Sequence, residues 1–171
     1  MIRVLCAYSP DWVRAFEAEA PRISARFSDA VVAIHHFGST AVPGLCAKPV
    51  IDILVEARSL DLIEQRASEM ISAGYDARGE YGIPGRRYFS RPGEPAFHVH
   101  VYETGTDNVI RHLAFRDYLR AVPEAAAAYA ALKRSLADAW GSLPLNYPDL
   151  KASFVRDTEQ AALVWHRGRS G

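Results

Sequence analysis

The segment VIDILVE, residues 50–56, constrains this chain more than any other, because it sets one carboxylate inside an otherwise aliphatic run. Continuous β-branched and aliphatic residues over this length read as a strand in a central position of a sheet. An ionised carboxylate in such surroundings is costly unless it is neutralised, hydrogen-bonded or bound to a metal. Asp52 is therefore either a cap on a neighbouring loop or the point around which chemistry gathers. In both cases the rest of the chain must supply strands on its two sides.

The flanking segments do so. AVVAIHHF, residues 30–37, is rich in β-branched residues and stops at Gly38, which predicts a strand. Residues 39–49 are punctuated by Pro43, Gly44 and Pro49 and read as a loop with room for one helical turn. Further strands are expected over 75–81, 86–90 and 97–103, with GIPG at 82–85 as a turn. Ser9-Pro10 predicts a helix over 11–26, and Ser59 caps one over 60–73 that Gly74 closes. Helices over 108–120, 123–140 and 148–166 fill the C-terminal third. The expected fold class is α+β: a mixed sheet in the first hundred residues, flanked by helices and followed by a helical C-terminal third, in one domain spanning residues 1–171.

Composition narrows the function. Hydrophobic residues make up 49% and charged ones 23%, which argues against a disordered chain. Lys plus Arg and Asp plus Glu number 20 each, so the formal charge is zero. That balance suits a small charged metabolite better than a nucleic-acid polymer, whose backbone calls for a basic face. Cys6 and Cys46 lack CxxC or metal-ligand spacing and read as reduced thiols. No apolar run reaches the roughly 18 residues of a membrane span, and no signal-peptide core is found at the N-terminus. A cytoplasmic protein acting on a small-molecule substrate is expected, with no membrane or nucleic-acid partner.

In FHVHVYE a period of two puts His98, His100 and Tyr102 on one face and Phe97, Val99 and Val101 on the other. Two imidazoles at i and i+2 can converge on one ion or one phosphate; on a plain half-exposed strand they are merely tolerated. No third ligand is local. Asp52 supplies it if it emerges on the same face. Gly38-Ser39-Thr40 directly follows a strand, where glycine permits close backbone approach and hydroxyl and N–H groups make an anion site. It is not a GxxxxGK[ST] loop, since Lys48 follows Gly44 and precedes Pro49. Lys48, Arg86, Arg87, Arg116 and Lys151 are the basic residues singled out to face a charged ligand, and alternation sends only one of Arg86 and Arg87 inward. A Ser39–His–Asp52 hydrolase is disfavoured because the chain lacks a G-x-S-x-G elbow.

Taken in order, HFGSTAVPGLCAKPVIDILVE, FHVHVYE, RHLAFRDYLRAVPE with YAALKRSLA, and YPDLKASFV resemble the GrpB family (UPF0157), a branch of the nucleotidyltransferase superfamily. The likeness covers about residues 30–155. It implies a minimal, polymerase β-like nucleotidyltransferase fold, with helices packed on one face of the sheet and the site on the other. It also implies triphosphate contacts at Gly38 and Ser39, and two Mg²⁺ ions on a D-x-D pair joined by a carboxylate from a later strand. This chain departs from that pattern. The pair reads Asp52-Ile53-Leu54, and the later strand offers His98 and His100 instead. Mg²⁺ prefers oxygen ligands, whereas one Asp with two His suits a transition ion, a single-metal site or a metal-free phosphate site.

The resulting expectation is a nucleotidyltransferase-like enzyme that binds ATP or another NTP with a divalent metal ion, Mg²⁺ or a transition ion. It would transfer a nucleotidyl group to a small acceptor, or activate a carboxylate. Asp52, His98 and His100 are the expected catalytic and metal-binding residues. Gly38, Ser39, Thr40, Lys48, Arg86, Arg87, Arg116 and Lys151 are the expected nucleotide contacts. The alternative is an accessory domain without catalysis that binds a nucleotide or a coenzyme A-like metabolite, since the family resembles a domain sometimes fused to dephospho-coenzyme A kinase.

Overall fold

The alternation of apolar residues builds a five-stranded sheet in the computed structural model, which describes residues 5–138 and 147–169. In chain order the elements are α1 (Asp11–Phe27), β1 (Val31–Phe37), β2 (Val50–Ala57), α2 (Leu60–Gln65), α3 (Ala67–Ser72) and β3 (Asp76–Ala77). They continue with β4 (Arg87–Arg91), β5 (Ala96–Glu103), α4 (Asp107–Ala121), α5 (Pro123–Asp138) and α6 (Tyr147–Arg167). The strand order is β1-β2-β5-β4-β3. β2 and β5 run parallel, and the other pairs are antiparallel. VIDILVE is thus flanked on both sides, as its unbroken apolar character requires.

Register decides what faces what. Phe37, Asp52, His98, Ser90 and Asp76 are successive partners across all five strands. Partners in a row share a face, so this polar row lies on one side of the sheet. His35, Leu54, His100 and Tyr88 form the neighbouring row on that same side. The opposite side carries Ile51, Ile53, Val55, Phe89, Val99 and Val101. Trp12, Ile23 and Phe27 of α1, Ile63 of α2 and Met70 of α3 pack against it. Each such side chain, once fully buried, contributes about 1.5–3 kcal/mol. The helix face is the core.

The other face is covered only at one end, where Val109 of α4 packs on Phe37, Leu54 and Tyr102, with Leu113 beside them. Helices therefore touch both faces, a departure from the one-faced arrangement that the family resemblance implies. The cause is Leu54: an aliphatic side chain on the open face needs an apolar cover, and α4 supplies it. Loop residues Val42, Leu45 and Cys46 in turn seat α4 and α5 through Leu119, Tyr129 and Ala130.

Three local expectations change. The strand expected over 75–81 shrinks to two residues because Gly79, Tyr81 and Gly82 take positive φ of 57°, 45° and 81°. The helix expected over 60–73 breaks at Arg66 (φ −105°, ψ 7°), whose guanidinium reaches Asp29 at 2.9 Å. The helix expected to run to Trp140 is seen as far as Asp138, and its last residues lie outside the described ones. Among the described residues no helix is long and apolar enough to cross a membrane.

Candidate functional site

Gly38 ends β1 with φ 72°, and a Cβ added there would stand 2.6 Å from Asp52 Oδ2. Only glycine can make this turn and also press its backbone against the carboxylate. The chain then enters one 3-10 turn, Ser39–Ala41. Thr40, 1% exposed, donates to the Val50 carbonyl at 3.0 Å and lies 3.0 Å from His36 Nε2. Its single hydrogen is thereby committed, so His36 donates to it from Nε2. Thr40 fastens the turn to the strands. It does not face the open side, which corrects its expected place among the ligand contacts. Burial, with Arg120 and Arg116 close by and only partly offset by Asp52, pushes His36 down to about 4.

Asp52 Oδ1 lies 3.6 Å from His98 Nδ1 and 3.6 Å from His100 Nε2. One ligand atom from each of the three residues falls within 4.8 Å of the others. The structure thus brings together an acid and two imidazoles from separate strands on one face. Neither 3.6 Å contact is a hydrogen bond, and His100 Nε2 is buried without a partner. The rings are held edge-on: His100 against Phe37 and Tyr88 at 5.1 Å each, and His98 against Tyr88 at 5.7 Å.

Donor atoms about 2.1 Å from a common tetrahedral ion lie about 3.4 Å apart, close to the spacing found. The ring nitrogens divide the three residues, however. Arg86 Nη1 lies 3.3 Å from His100 Nδ1. A guanidinium can only donate, so Nδ1 accepts and Nε2 carries the ring hydrogen. A metal-bound histidine normally donates through its second nitrogen, and His100 meets a donor there instead. Asp52 and His98 therefore fit a divalent ion, while His100 is set to donate a hydrogen bond beside it.

The basic residues divide by position. Arg86, 5% exposed, donates to the carbonyls of Glu80 at 3.1 Å and Tyr81 at 2.8 Å. It is an interior brace, a correction to the phosphate contact expected of it. Arg87 points to the helix face and pairs with Glu64 at 2.6 Å, so it does not reach the site. Arg86 precedes β4, so the loop it braces, not strand alternation, sets its direction. Arg116 donates to the His36 carbonyl at 3.0 Å and to Asp117 at 2.7 Å, pinning α4 to the end of β1. Lys48 is exposed on its loop. The Lys151 side chain lies outside the described residues.

Sequence reasoning missed Lys133 on α5. Its Nζ donates to Ser39 Oγ and to the Cys46 carbonyl at 3.3 Å, and sits 4.7 Å from the centre of the Tyr129 ring. The one available signal was its place in the YAALKRSLA block. Arg120 adds positive charge by donating to the Ala41 carbonyl at 2.8 Å. The first N–H groups of a 3-10 turn have no partner inside it. The turn thus brings the Ser39 hydroxyl and Lys133 together directly after Gly38, whose backbone abuts Asp52. His112, buried near Arg111, His100 and Arg86, is pushed down to about 3 and stays neutral behind this site.

Comparison with known proteins gives the chain as a whole its relatives. The GrpB protein family model matches residues 3–161. UPF0157 protein YqkA of Bacillus subtilis is 42% identical over 95% of this chain and 48% of its own length. A dephospho-CoA kinase of Mycolicibacterium paratuberculosis is 29% identical over 91% of this chain and 45% of its own. The chain thus spans about half the length of these two relatives. The crystal structure of the conserved protein GrpB from Enterococcus faecalis superposes with a TM-score of 0.87 at 36% identity, covering 95% of this chain and 99% of that one.

Proposed function

The chain belongs to the GrpB family, and from that membership we propose that it is a nucleotidyltransferase-like enzyme that binds an NTP and transfers its nucleotidyl group to a small acceptor. One observation carries the reading: Asp52, His98 and His100 converge on the open face beside a turn where Ser39 and Lys133 meet. The terminal phosphates bind the turn N–H groups, the Ser39 hydroxyl and Lys133. Asp52 and His98 would hold a divalent ion, which when bound neutralises phosphate charge as a Lewis acid. His100 Nε2–H donates to a non-bridging oxygen of the α-phosphate, where charge accumulates as the bond order changes. The acceptor's oxygen or nitrogen forms a bond to the α-phosphorus, and the bond from that phosphorus to the bridging oxygen breaks. Pyrophosphate leaves with the electron pair, and the acceptor's proton passes to solvent water.

A second reading is favoured by Leu54, fully buried at the position of the missing second acid. It is an accessory domain that binds a nucleotide or a coenzyme A-like metabolite without turnover, as the likeness to a dephospho-CoA kinase would suit. Calorimetric titration of ATP with Mg²⁺ or Mn²⁺ into the wild type and Asp52→Ala tests the first reading. Metal-dependent binding that Asp52→Ala loses supports it, and equal affinity in both proteins, with and without metal, sinks it. Ligand-dependent thermal stabilisation without pyrophosphate release from a panel of acceptors would favour the second.

A further inference from the structure

The register row that carries Asp52 and His98 continues through Ser90 to Asp76. There the open face drops into a cleft of about 310 Å³ lined by Asp76, Arg78, Tyr81, Tyr88, Ser90 and His98, among others. Resting on the nucleotide reading above, we propose that this cleft is the nucleobase subsite, which takes a purine against Tyr81 while the phosphates lie at the Ser39 turn.

Tyr81 is the first ground. The residue is 60% exposed, yet its backbone is held in the left-handed region at φ 45°, an outlier for a bulky residue. Such a conformation persists only where the surroundings over-determine it, and here they do. Arg86 takes the carbonyls of both Glu80 and Tyr81, and the Glu80 carboxylate accepts from the Gly85 N–H at 2.8 Å. A large aromatic ring is thus fixed in place while facing solvent. No apolar cluster of the core uses it.

The second ground is stacking. Tyr81 lies parallel to Tyr88, with centroids 5.1 Å apart and planes 11° apart. The Arg86 guanidinium sits 4.8 Å from the Tyr88 centroid, and that of Arg78 5.5 Å from the Tyr81 centroid. Aromatic rings and guanidinium planes together are how proteins hold unpaired bases. At the edge, the Asp76 carboxylate, whose Oδ2 lies 3.4 Å from Arg78 Nη2, would accept from amino or imino hydrogens through its other oxygen, and the Ser90 hydroxyl can donate or accept.

The third ground is reach. Neighbouring strands lie about 4.8 Å apart, so Asp52 and Asp76, three strands apart in one row, are separated by about 14 Å. A nucleotide laid across the strands would place its phosphates at the end of β1, its ribose over His98 and its base in the cleft. A purine offers the larger stacking surface.

Titration of ATP, GTP, CTP, UTP and inorganic tripolyphosphate, all with Mg²⁺ or Mn²⁺, into the wild type, Tyr81→Ala and Tyr81→Phe tests this. The purine nucleotides are expected to bind the wild type about 10-fold more tightly than tripolyphosphate does. Tyr81→Ala should lose that advantage and Tyr81→Phe keep it, with tripolyphosphate affinity equal in all three proteins. If the nucleotides and tripolyphosphate bind alike and Tyr81→Ala changes neither, the cleft is not a base subsite, and the phosphate reading survives. If tripolyphosphate does not bind the wild type, the nucleotide reading fails and this assignment falls with it.

Discussion

Two carboxylates near the same sheet have opposite surroundings. Glu19, on the helix face, is 4% exposed; it accepts from the Tyr75 hydroxyl at 2.8 Å and meets Arg91 at 2.9 Å. Arg91 in turn lies over Tyr75 and Phe97 at 4.7 Å each. That cluster satisfies itself within the chain, and the Tyr75 hydroxyl is pushed up by burial and by Glu19. Asp52, on the open face, has two imidazoles at 3.6 Å, too far for hydrogen bonds. A sheet can thus bury a charge to hold itself together, or arrange one that is completed only from outside. The first serves stability, and the second is the arrangement on which the proposed function rests.

The largest effect should come from exchanging the two roles. Glu19→Ala leaves Arg91 and Tyr75 without their partner and should cost about 3 kcal/mol in urea denaturation, with nucleotide affinity unchanged in the folded fraction. Asp52→Asn should show the reverse: an unfolding midpoint close to wild type, and metal-dependent NTP affinity lower by about 100-fold. Comparable stability losses in both variants would erase the distinction between the faces.

Acid sharpens the contrast next. His36 and His112 are held at about 4 and about 3 when folded, against 6.5 as the ordinary value. Above pH 6.5 both are neutral in either state and impose no penalty. As pH falls from 6.5 toward 4, the unfolded chain takes up protons that the folded chain refuses. Each group then removes about 1.4 kcal/mol per pH unit. Denaturation at pH 7, 6 and 5 should show this slope, and His112→Phe, which keeps the ring packing, should remove about half of it.

Gly38→Ala should cost about 1–2 kcal/mol through its left-handed backbone, and also weaken NTP binding by displacing Asp52. A variant with normal affinity would show that the close approach to the carboxylate is incidental. The smallest change is expected from Lys133→Met: about 10-fold weaker tripolyphosphate binding, with a loss of about 1 kcal/mol in stability as its bonds to Ser39 and the Cys46 carbonyl go. Calorimetry and thermal melts on one preparation separate the two quantities.

Much of the sheet was legible because strand periodicity is local. VIDILVE and FHVHVYE declared their faces, and parity alone allowed Asp52 to meet His98 and His100. What stayed hidden is what parity does not encode. Arg86 looks like any surface cation in sequence, but two carbonyls of a glycine-rich loop and one imidazole nitrogen enclose it. Lys133 lies 94 positions from Ser39, on a helix whose own pattern names no target. Tyr81 reads as a strand residue by propensity, and its glycine neighbours overrule that preference. The shortfall lies in side chains whose partners are set by helix docking and loop closure.

The parallel pairing of β2 with β5 has a consequence for how the molecule comes to be. Parallel neighbours cannot be joined by a tight hairpin, so the whole stretch from Arg58 to Pro95, with two helices and two strands, intervenes between the acid and its imidazoles. Closing so long a loop is entropically late work for a folding chain. The antiparallel β1–β2 pair can form early, but the acid meets its imidazoles only once β5 has docked, so until then Asp52 has Phe37 on one side and neither histidine on the other.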